Sequence, residues 1–176
     1  MTAPSVIILT SGLVQTGSGQ ELSRLISTIR QLKKTPIVVL GPDGDELLRE
    51  CSEIIDDCEI VFDPNFEGGL FSSLKAGLFA LRHGGAFVLP LGAPYMNAPA
   101  WRKLEDALLT SEQEHIIRAA PQDQGGAMTF PLLVTARGMS HLRNQPAQSP
   151  WPPEREVIFR DLPPEEEAGS PASPPL

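Results

Sequence analysis

Short apolar runs and helical stripes of apolar residues alternate along most of the chain. The first run, at residues 6–9, is continuous and rich in β-branched side chains, which is typical of a strand covered on both faces. Apolar residues at helical spacing follow between Leu22 and Leu32. The same alternation predicts further strands at 37–40, 60–62, 87–89 and 116–117, and further helices at 47–51, 70–82 and 101–109. This order predicts an α/β fold, a Rossmann-like three-layer domain with a mostly parallel sheet.

The loop between the first strand and the first helix, residues 10–19, contains three glycines, Gly12, Gly17 and Gly19. In a parallel sheet this loop lies at the edge where ligands bind. Glycines allow a tight turn whose amides face an anion, and the helix N-terminus adds a partial positive charge. The loop lacks the Lys-Ser/Thr of a phosphate-binding loop and the third glycine of the dinucleotide fingerprint. A phosphate cradle and a flexible connector therefore both remain open.

The balance of charges is acidic, with 14 Lys+Arg against 22 Asp+Glu and a net charge of −8. Nucleic-acid binding relies on cations that neutralise phosphates, so no nucleic-acid partner is expected. The apolar runs are too short to span a membrane, and the N-terminus lacks the basic stretch of a secretory signal, which predicts no membrane partner and a cytoplasmic location. Cys51 and Cys58 make no disulfide framework, and no His/Cys cluster has zinc-like spacing.

Nine of the 18 prolines fall within residues 144–176, together with six acidic residues and two arginines. Proline removes backbone donors and like charges repel, so most of this segment is not expected to join a core. We therefore predict a domain at residues 1–143 and a proline-rich acidic tail at 144–176 that is mostly extended or disordered. Within the tail, the β-prone residues 157–159 are expected to dock. Trp151 is expected to pack on the body or on a protein partner.

Three segments carry a family resemblance. The most specific is residues 68–78, which fit the pattern Gly-x-x-Ser-Ser-Leu-x-Ala-Gly-Leu at nearly every position. The other two are the first strand with its loop, and residues 88–94 with the sequence Val-Leu-Pro-Leu-Gly-Ala-Pro. Together they resemble the MobA-like and MocA-like nucleotidyltransferases that mature the molybdenum cofactor. The resemblance extends over roughly residues 5–134, includes a strand near residues 130–133, and implies a nucleotide-diphospho-sugar-transferase-like fold.

The resemblance implies that a nucleoside triphosphate lies over the first loop. It also implies that a nucleoside monophosphate passes from CTP or GTP to a phosphorylated acceptor such as molybdopterin, with release of pyrophosphate. The residues that it places around the nucleotide are Thr10, Ser11, Gly12, Gly17, Gly69, Ser72 and Ser73. From the residues alone, the two serines near a helix start can equally satisfy the free amides of that helix.

The charged catalytic residues of the family are not found at the matching positions. The resemblance implies an arginine and a lysine in the first loop and a magnesium-binding aspartate after the fourth strand. This chain has Thr16, or a one-residue gap beside it, at the arginine position, Gln20 and Glu21 around the lysine position, and Gly92 at the aspartate position. A triphosphate and its transition state need cations placed against them. We therefore predict impaired or lost catalysis, with no catalytic residue and no metal ligand assigned, and with Mg²⁺ as a cofactor only if activity survives.

Other chemistry-bearing residues are interpreted as structural. Asp63 and Glu67 follow the third strand and can hold a metal, but acidic residues are common in such turns. Trp101 starts a helix beside the cleft, and packing is the usual role of such a ring. The three histidines lie on different predicted elements without an acidic or cysteine partner at useful spacing, so no general base is predicted.

Three functions remain open. The first is an enzyme with altered or weak nucleotidyltransferase activity, which requires a divalent metal and turnover. The second is a non-catalytic relative that binds a nucleotide or nucleotide-like metabolite, which requires saturable binding. The third is an interaction module whose proline-rich tail binds another protein. The missing charges favour the second and third functions over the first.

Overall fold

One mixed sheet of seven strands, with helices on both faces, makes up the part of the chain that the computed structural model describes. The described residues are 4–10, 14, 17–81, 84–93, 98–111, 113–119, 132–146 and 159–162. The strands are β1 (Ser5–Leu9), β2 (Pro36–Leu40), β3 (Glu59–Phe62), β4 (Ala86–Pro90), β5 (Ile116–Ala119), β6 (Leu132–Val134) and β7 (Phe159–Leu162). The helices are α1 (Ser18–Gln31), α2 (Gly44–Glu50), α3 (Glu53–Asp57), α4 (Leu70–Ala80), α5 (Ala98–Leu109) and α6 (Ala136–Arg143), and a short 3₁₀ turn covers Phe66–Gly68.

The strand order across the sheet is β3-β2-β1-β4-β6-β5-β7. Strand β6 runs antiparallel to both of its neighbours, β4 and β5, and every other described pair is parallel. The register places Ile7 of β1 between Ile37 of β2 and Val88 of β4. The predicted α/β class and mostly parallel sheet are therefore confirmed, and the strands include those that the apolar runs predict.

Alternate residues of the central strands point into two apolar layers, which gives the fold its three layers. Val6 and Ile8 of β1 belong to a buried cluster with residues of α1, α2, α3 and α5. Ile7 and Leu9 belong to a second buried cluster with residues of α4 and α6. Because both faces of β1 are covered, its sequence is a continuous apolar run and not an alternation of apolar and polar residues.

Several smaller predictions can be compared with the structure. Trp101 in α5 is buried and packs edge-on against Phe87 of β4, with ring centroids 4.5 Å apart, which confirms its packing role. The helix predicted at 70–82 ends earlier, at Ala80, because Leu81 has an extended backbone.

Cys51 and Cys58 are free thiols, as predicted, and burial raises their pKa to about 11 and about 12. None of the helices in the described ranges is both long and apolar enough to cross a membrane.

The predicted tail contributes one strand to the sheet. Strand β7 pairs in parallel with β5, from Ile116 opposite Phe159 to Ala119 opposite Leu162. Of the segment that is expected to dock, Phe159 is part of β7. Residues 147–158, which include Trp151, and residues 163–176 lie outside the described residues. The boundary between residues 143 and 144 stays a prediction, as does an extended or disordered state for the rest of the tail.

Helix α6 lies directly against the start of β5. Thr135 caps the helix by accepting a hydrogen bond from the Gly138 amide at 3.0 Å. Gly138 fits against the His115 backbone, since a Cβ at this position would lie 2.0 Å from the His115 carbonyl oxygen. The imidazole rings of His115 and His141 stack, with centroids 4.4 Å apart and an interplanar angle of 9°. The two elements are therefore joined by close backbone contact and by a pair of stacked rings.

Candidate functional site

The carboxyl ends of β1 to β4 meet at one edge of the sheet, which we call the carboxyl edge and which is where such folds bind ligands. Helices α1 and α4 begin at this edge. Each begins at a glycine with a left-handed backbone, since Gly17 has φ 89° and Gly69 has φ 73°. Such a positive φ favours glycine, and no described atom lies within 4 Å of an added Cβ at either position.

Thr10 follows β1 at the carboxyl edge and is almost fully buried. Its hydroxyl donates to the Val39 carbonyl of β2 at 2.9 Å, and its amide donates to the same carbonyl at 3.2 Å. The hydroxyl proton is therefore used within the sheet, so the Thr10 oxygen can act toward any further group only as an acceptor. Of the other predicted binding residues in this loop, Gly17 is the N-cap of α1, whereas Ser11 and Gly12 lie outside the described residues.

Ser72 and Ser73, in the first turn of α4, both donate to the carboxylate of Asp63. The Ser72 Oγ lies 3.0 Å from Asp63 Oδ1, and the Ser73 Oγ lies 2.8 Å from Asp63 Oδ2. The Asn65 amide also donates to Oδ1, at 2.9 Å, and closes the turn after β3. Asp63 is only 5% exposed, so its carboxylate is removed from water but satisfied by three donors near the positive end of α4.

This Asp63 cluster changes the interpretation of its members. The hydroxyl protons of Ser72 and Ser73 go to Asp63, and the N-cap of α4 is Gly69, so the expected alternative of a serine cap does not describe the helix start. The predicted contact of both serines with a nucleotide stays a prediction. Asp63 has the turn role that the sequence favours, but its link to the serines was not foreseen. An acidic residue at a strand end, followed by paired serines at a helix start, is the signal that points to it.

A second carboxylate lies against the first turn of α1. The Gly19 amide donates to Oε2 of Glu50, the last residue of α2, at 3.2 Å. The fit is close, since a Cβ on Gly19 would lie 2.5 Å from the Glu50 Cβ. One turn further along α1, the Ser23 Oγ donates to Glu53 Oε1 at 2.7 Å, and this hydrogen bond is the main reason why the pKa of Glu53 is lowered. Neither contact was predicted from the sequence.

The loop after β4 contains Gly92, at the position where the resemblance expects an aspartate. Gly92 has φ 88°, and no described atom lies within 4 Å of the place where its Cβ would be. The backbone on both sides is fixed, because the Leu91 amide donates to the Leu9 carbonyl at 2.8 Å and the Ala93 amide donates to the Pro90 carbonyl at 3.0 Å. A glycine with a left-handed backbone thus stands at this point of the carboxyl edge.

A sequence profile of the MobA-like NTP transferase domain matches residues 12–158. This range contains the starts of α1 and α4, the Asp63 cluster and Gly92. The chain belongs to the family of MobA-like NTP transferase domains. The resemblance carried by residues 68–78 and 88–94 is thereby confirmed. Among curated proteins, none matches the sequence of this MobA-like domain significantly.

Several solved structures share the fold of the MobA-like domain. The protein Rv0371c from Mycobacterium tuberculosis H37Rv has a TM-score of 0.65 and 15% identity, with 92% of this chain and 88% of that chain covered. A nucleotidyl transferase from Methanothermobacter thermautotroptrophicus has a TM-score of 0.62 and 13% identity, with 94% and 89% covered. A 4-diphosphocytidyl-2C-methyl-D-erythritolsynthase from Anaerococcus prevotii DSM 20548 has a TM-score of 0.60 and 12% identity, with 93% and 90% covered. At these identities the likeness confirms the fold.

The most specific motif of the MobA-like domain has a structural reason. A Cβ on Gly77 would lie 2.7 Å from a methyl carbon of Ile7 and 3.0 Å from one of Val39, so glycine lets α4 lie close on β1 and β2. Leu74 and Leu78 are buried in the same apolar layer. The motif thus fixes the helix whose first turn carries Ser72 and Ser73.

The residues described at the carboxyl edge do not fit the magnesium site that the family implies. Gly92 supplies no oxygen ligand, and both carboxylate oxygens of Asp63 already accept hydrogen bonds from serines. Within the described ranges of the MobA-like domain, no group of three or more His, Cys, Asp or Glu side chains is arranged to hold a metal ion.

Several basic side chains of the MobA-like domain hold helices together away from this edge. Lys34 pairs with Glu105 at 2.8 Å. Arg143 donates to two backbone carbonyls at the end of α4, and Lys75 donates to a carbonyl just after α6. Lys33 and Lys34 line a cavity of about 560 Å³ at the opposite edge, where the strands begin. These cations are therefore not placed where a triphosphate would lie.

Proposed function

We propose that this MobA-like domain binds a nucleotide or a nucleotide-like metabolite at the carboxyl edge for sensing or regulation, and that it transfers nucleotidyl groups weakly or not at all. The observation that carries this proposal is Gly92. The position that the resemblance assigns to the magnesium-binding aspartate has no side chain and a left-handed backbone. The domain would then be a pseudoenzyme of its family.

The chemistry of nucleotidyl transfer supports the loss of catalysis. The reaction places additional negative charge on the bridging and leaving oxygens, which a metal ion or cationic side chains must neutralise. The chain has Thr16, Gln20 and Glu21 where the resemblance expects an arginine and a lysine. The net charge of −8 makes the surrounding field less favourable still for a polyphosphate.

The scaffold for binding a nucleoside supports the first half of the proposal. The residues proposed to contact it are Thr10, Ser11, Gly12, Gly17, Gly69, Ser72 and Ser73. Thr10 and the two serines are almost fully buried and use their hydroxyl protons within the protein, so a ligand that reaches them can only donate hydrogen bonds to their oxygens. A ligand that donates hydrogen bonds, through the amino group of a base or the hydroxyls of a ribose, matches this set.

Ligand-dependent thermal unfolding tests whether a nucleotide binds. The melting temperature is measured with cytidine, guanosine, their monophosphates, CTP and GTP, each with and without Mg²⁺. We expect a saturable rise with at least one ligand that does not depend on Mg²⁺, since a ligand at 100 times its Kd stabilises a protein by about 2.7 kcal/mol. Ser72→Ala, at the less completely buried of the two serines, is expected to reduce the rise, whereas Ser140→Ala, on the exposed face of α6, serves as the control.

A turnover assay separates binding from catalysis. Pyrophosphate release is followed with CTP or GTP, Mg²⁺ and molybdopterin as the phosphorylated acceptor, and we expect no release above background. Mg²⁺-dependent release that is abolished by substitution of Ser11 and Gly12 would show instead that the domain is an active transferase of the kind that the resemblance implies.

The tail supports a second proposed function, the binding of another protein. Strand β7 takes residues 159–162 into the sheet, and the acidic residues 165–167 and the last five prolines follow it in the sequence. A chain that ends at Leu162 keeps every described strand and removes this acidic segment. Loss of a co-purifying partner from the shortened chain, with nucleotide binding unchanged, would assign the partner to the tail.

A further inference from the structure

Both helices that begin at the carboxyl edge have a carboxylate of the chain itself at their N-terminus. Asp63 accepts hydrogen bonds from Ser72 and Ser73 in the first turn of α4, and Glu50 accepts one from the Gly19 amide in the first turn of α1. A helix N-terminus carries free amides and a partial positive charge, and proteins commonly hold phosphates there. In this chain the carboxylate of Glu50 takes such a place on an α1 amide, whereas Asp63 lies at the start of α4 on serine hydroxyls.

The two carboxylates differ in what else explains their positions. Asp63 is buried among three donors and belongs to the folded framework. Glu50 is exposed, and it is the last residue of α2, where the negative end of a helix disfavours a carboxylate. The local energetics of α2 therefore do not account for an acidic residue at this position. Its contact with Gly19 does.

We propose that Glu50 determines the class of ligand that the carboxyl edge accepts. Its carboxylate occupies the place beside the Gly19 amide where a polyphosphate would otherwise be held. The edge therefore accepts a nucleoside, or another ligand without a polyphosphate at this place, and rejects a triphosphate. The inference rests on the proposed function, because it concerns the same site, and it narrows the ligand class.

The geometry and the electrostatics around Glu50 both disfavour a phosphate at the Gly19 amide. A phosphate that reached the Gly19 amide would have to displace Glu50 or lie within a few ångströms of its carboxylate, given the 3.2 Å hydrogen bond. Like charges at such a separation repel, and they do so most strongly at low ionic strength. Glu21, in the same first turn of α1, adds a further negative charge. Removal of the Glu50 charge should therefore improve the binding of a polyphosphate and leave that of a nucleoside unchanged.

Glu50→Gln tests this inference, since it removes the charge but keeps a side-chain oxygen that can accept from Gly19. Glu46→Gln is the matched control, because it changes the net charge equally at an exposed position one turn earlier in α2. Both sites are exposed, so both variants are expected to fold, which circular dichroism checks. The probes are inorganic tripolyphosphate, cytidine and guanosine, titrated by calorimetry at low salt without Mg²⁺. We expect Glu50→Gln to bind tripolyphosphate roughly tenfold more tightly than the wild type and Glu46→Gln do.

The outcomes separate this inference from the proposed function. Equal tripolyphosphate affinity in all three proteins, or an equal gain in both variants, would overturn the role of Glu50 whatever the nucleosides do. A gain in Glu50→Gln alone, with nucleoside affinity unchanged, supports both proposals. A gain in Glu50→Gln alone without any nucleoside binding supports the role of Glu50 and contradicts the proposed nucleotide-type ligand.

Discussion

At the scale of single residues, the carboxyl edge depends on a few positions with unusual burial or backbone angles. Asp63 is a buried carboxylate that satisfies a turn amide and two serine hydroxyls at once. Gly17, Gly69 and Gly92 have left-handed backbones that other residues adopt only with strain. Substitutions at these positions therefore have consequences that differ in kind: loss of hydrogen-bond partners at Asp63, and backbone strain at the glycines.

Asp63→Ala is expected to lower the free energy of unfolding by about 2–4 kcal/mol, because it leaves the buried hydroxyls of Ser72 and Ser73 and the Asn65 amide without their acceptor. Asp63→Asn keeps one acceptor oxygen and is expected to cost less. Urea unfolding measures both. Glu67→Ala, exposed in the same loop, is the control and should stay within about 0.5 kcal/mol of the wild type. An Asp63→Ala protein as stable as the wild type would show that the cluster does not stabilise the fold.

Gly92→Asp returns a carboxylate to the position where the resemblance expects one. Its backbone has φ 88°, so we expect a loss of about 1–2 kcal/mol of stability in both Gly92→Asp and Gly92→Ala. A single added carboxylate is too few ligands for a hard cation, so Mg²⁺ should not change the melting temperature of either variant. Stabilisation by Mg²⁺ of the aspartate variant alone would mean that other oxygen ligands converge on this place.

The residue-scale features of the site could be predicted from the sequence only where they are local. Gly17 and Gly69 stand just before helices, where the sequence predicts a use for their conformational freedom, and both have a positive φ. The contacts of Glu50 with Gly19 and of Glu53 with Ser23 join residues 31 and 30 positions apart. Such pairs depend on how α2 and α3 lie against α1, which apolar periodicity does not determine.

At the scale of elements, α4 and α6 approach the sheet through glycines. At Gly77 the nearest neighbours of an added Cβ are side-chain methyl carbons of Ile7 and Val39, whereas at Gly138 the nearest neighbour is the His115 backbone carbonyl. Side chains can move by a few tenths of an ångström, but the His115 carbonyl, which accepts a hydrogen bond from the Thr135 amide at 3.0 Å, cannot do so without weakening that bond. The two glycines therefore tolerate an added methyl group to different degrees.

Gly138→Ala is expected to lower the free energy of unfolding by about 3 kcal/mol or more, since its Cβ would lie 2.0 Å from the His115 oxygen and α6 would have to move away from β5. Gly77→Ala is expected to cost less. Ser140→Ala, on the exposed side of α6, is the control. Chemical unfolding gives the order of the three variants, and a larger loss for Gly77→Ala than for Gly138→Ala would contradict the close backbone contact.

The contact of α6 with β5 also predicts a dependence of stability on pH. Burial lowers the pKa of His115, and the nearby His141 and Arg137 lower it further. The unfolded chain therefore takes up a proton at His115 near its ordinary pKa of about 6.5, while the folded chain stays neutral there. The free energy of unfolding should fall as the pH is lowered through this range, until the folded-state pKa is reached. Unfolding curves from about pH 8 to about pH 5 measure the slope, which His115→Gln should reduce. An unchanged slope would assign the dependence to other groups.

The elements could be predicted where burial leaves a pattern in the sequence. Strands β1, β2 and β4 are covered on both faces and so read as apolar runs. Strand β7 has the sequence Phe-Arg-Asp-Leu, which is neither an apolar run nor an alternation, and it follows a proline-rich segment. Only its pairing with β5 makes it a strand. The short helix α3 was missed because five residues are too few for a helical period to appear.

At the scale of the whole molecule, the sheet joins distant parts of the chain. Its first half, β3-β2-β1-β4, is built by consecutive parallel crossovers, and its second half, β6-β5-β7, uses segments up to residue 162. The carboxyl edge with Thr10, Asp63 and Gly92 lies wholly on the first half. In the second half, β6 pairs with the remaining edge of β4, and Ile116 and Ile117 of β5 are buried.

Two shortened chains test how the tail contributes to stability. A chain that ends at Leu162 is expected to unfold within about 0.5 kcal/mol of the full chain, because it keeps every strand that the structure describes. A chain that ends at residue 158 loses β7 and its backbone pairing with β5, and should be less stable by about 2 kcal/mol or more. Urea unfolding compares them. Equal stability of the two shortened chains would mean that β7 adds nothing to the fold.

The place of β6 between β4 and β5 has a consequence for synthesis on the ribosome. Strand β6 follows both of its neighbours in the chain, so the open side of β4 stays unpaired until residue 134 has emerged and folded back. During that interval the nascent chain exposes one of its most apolar strands as a bare edge, which is a template for pairing with other chains. A product that terminates early, before β6, is therefore expected to aggregate and to depend on chaperones, although it carries the complete carboxyl edge.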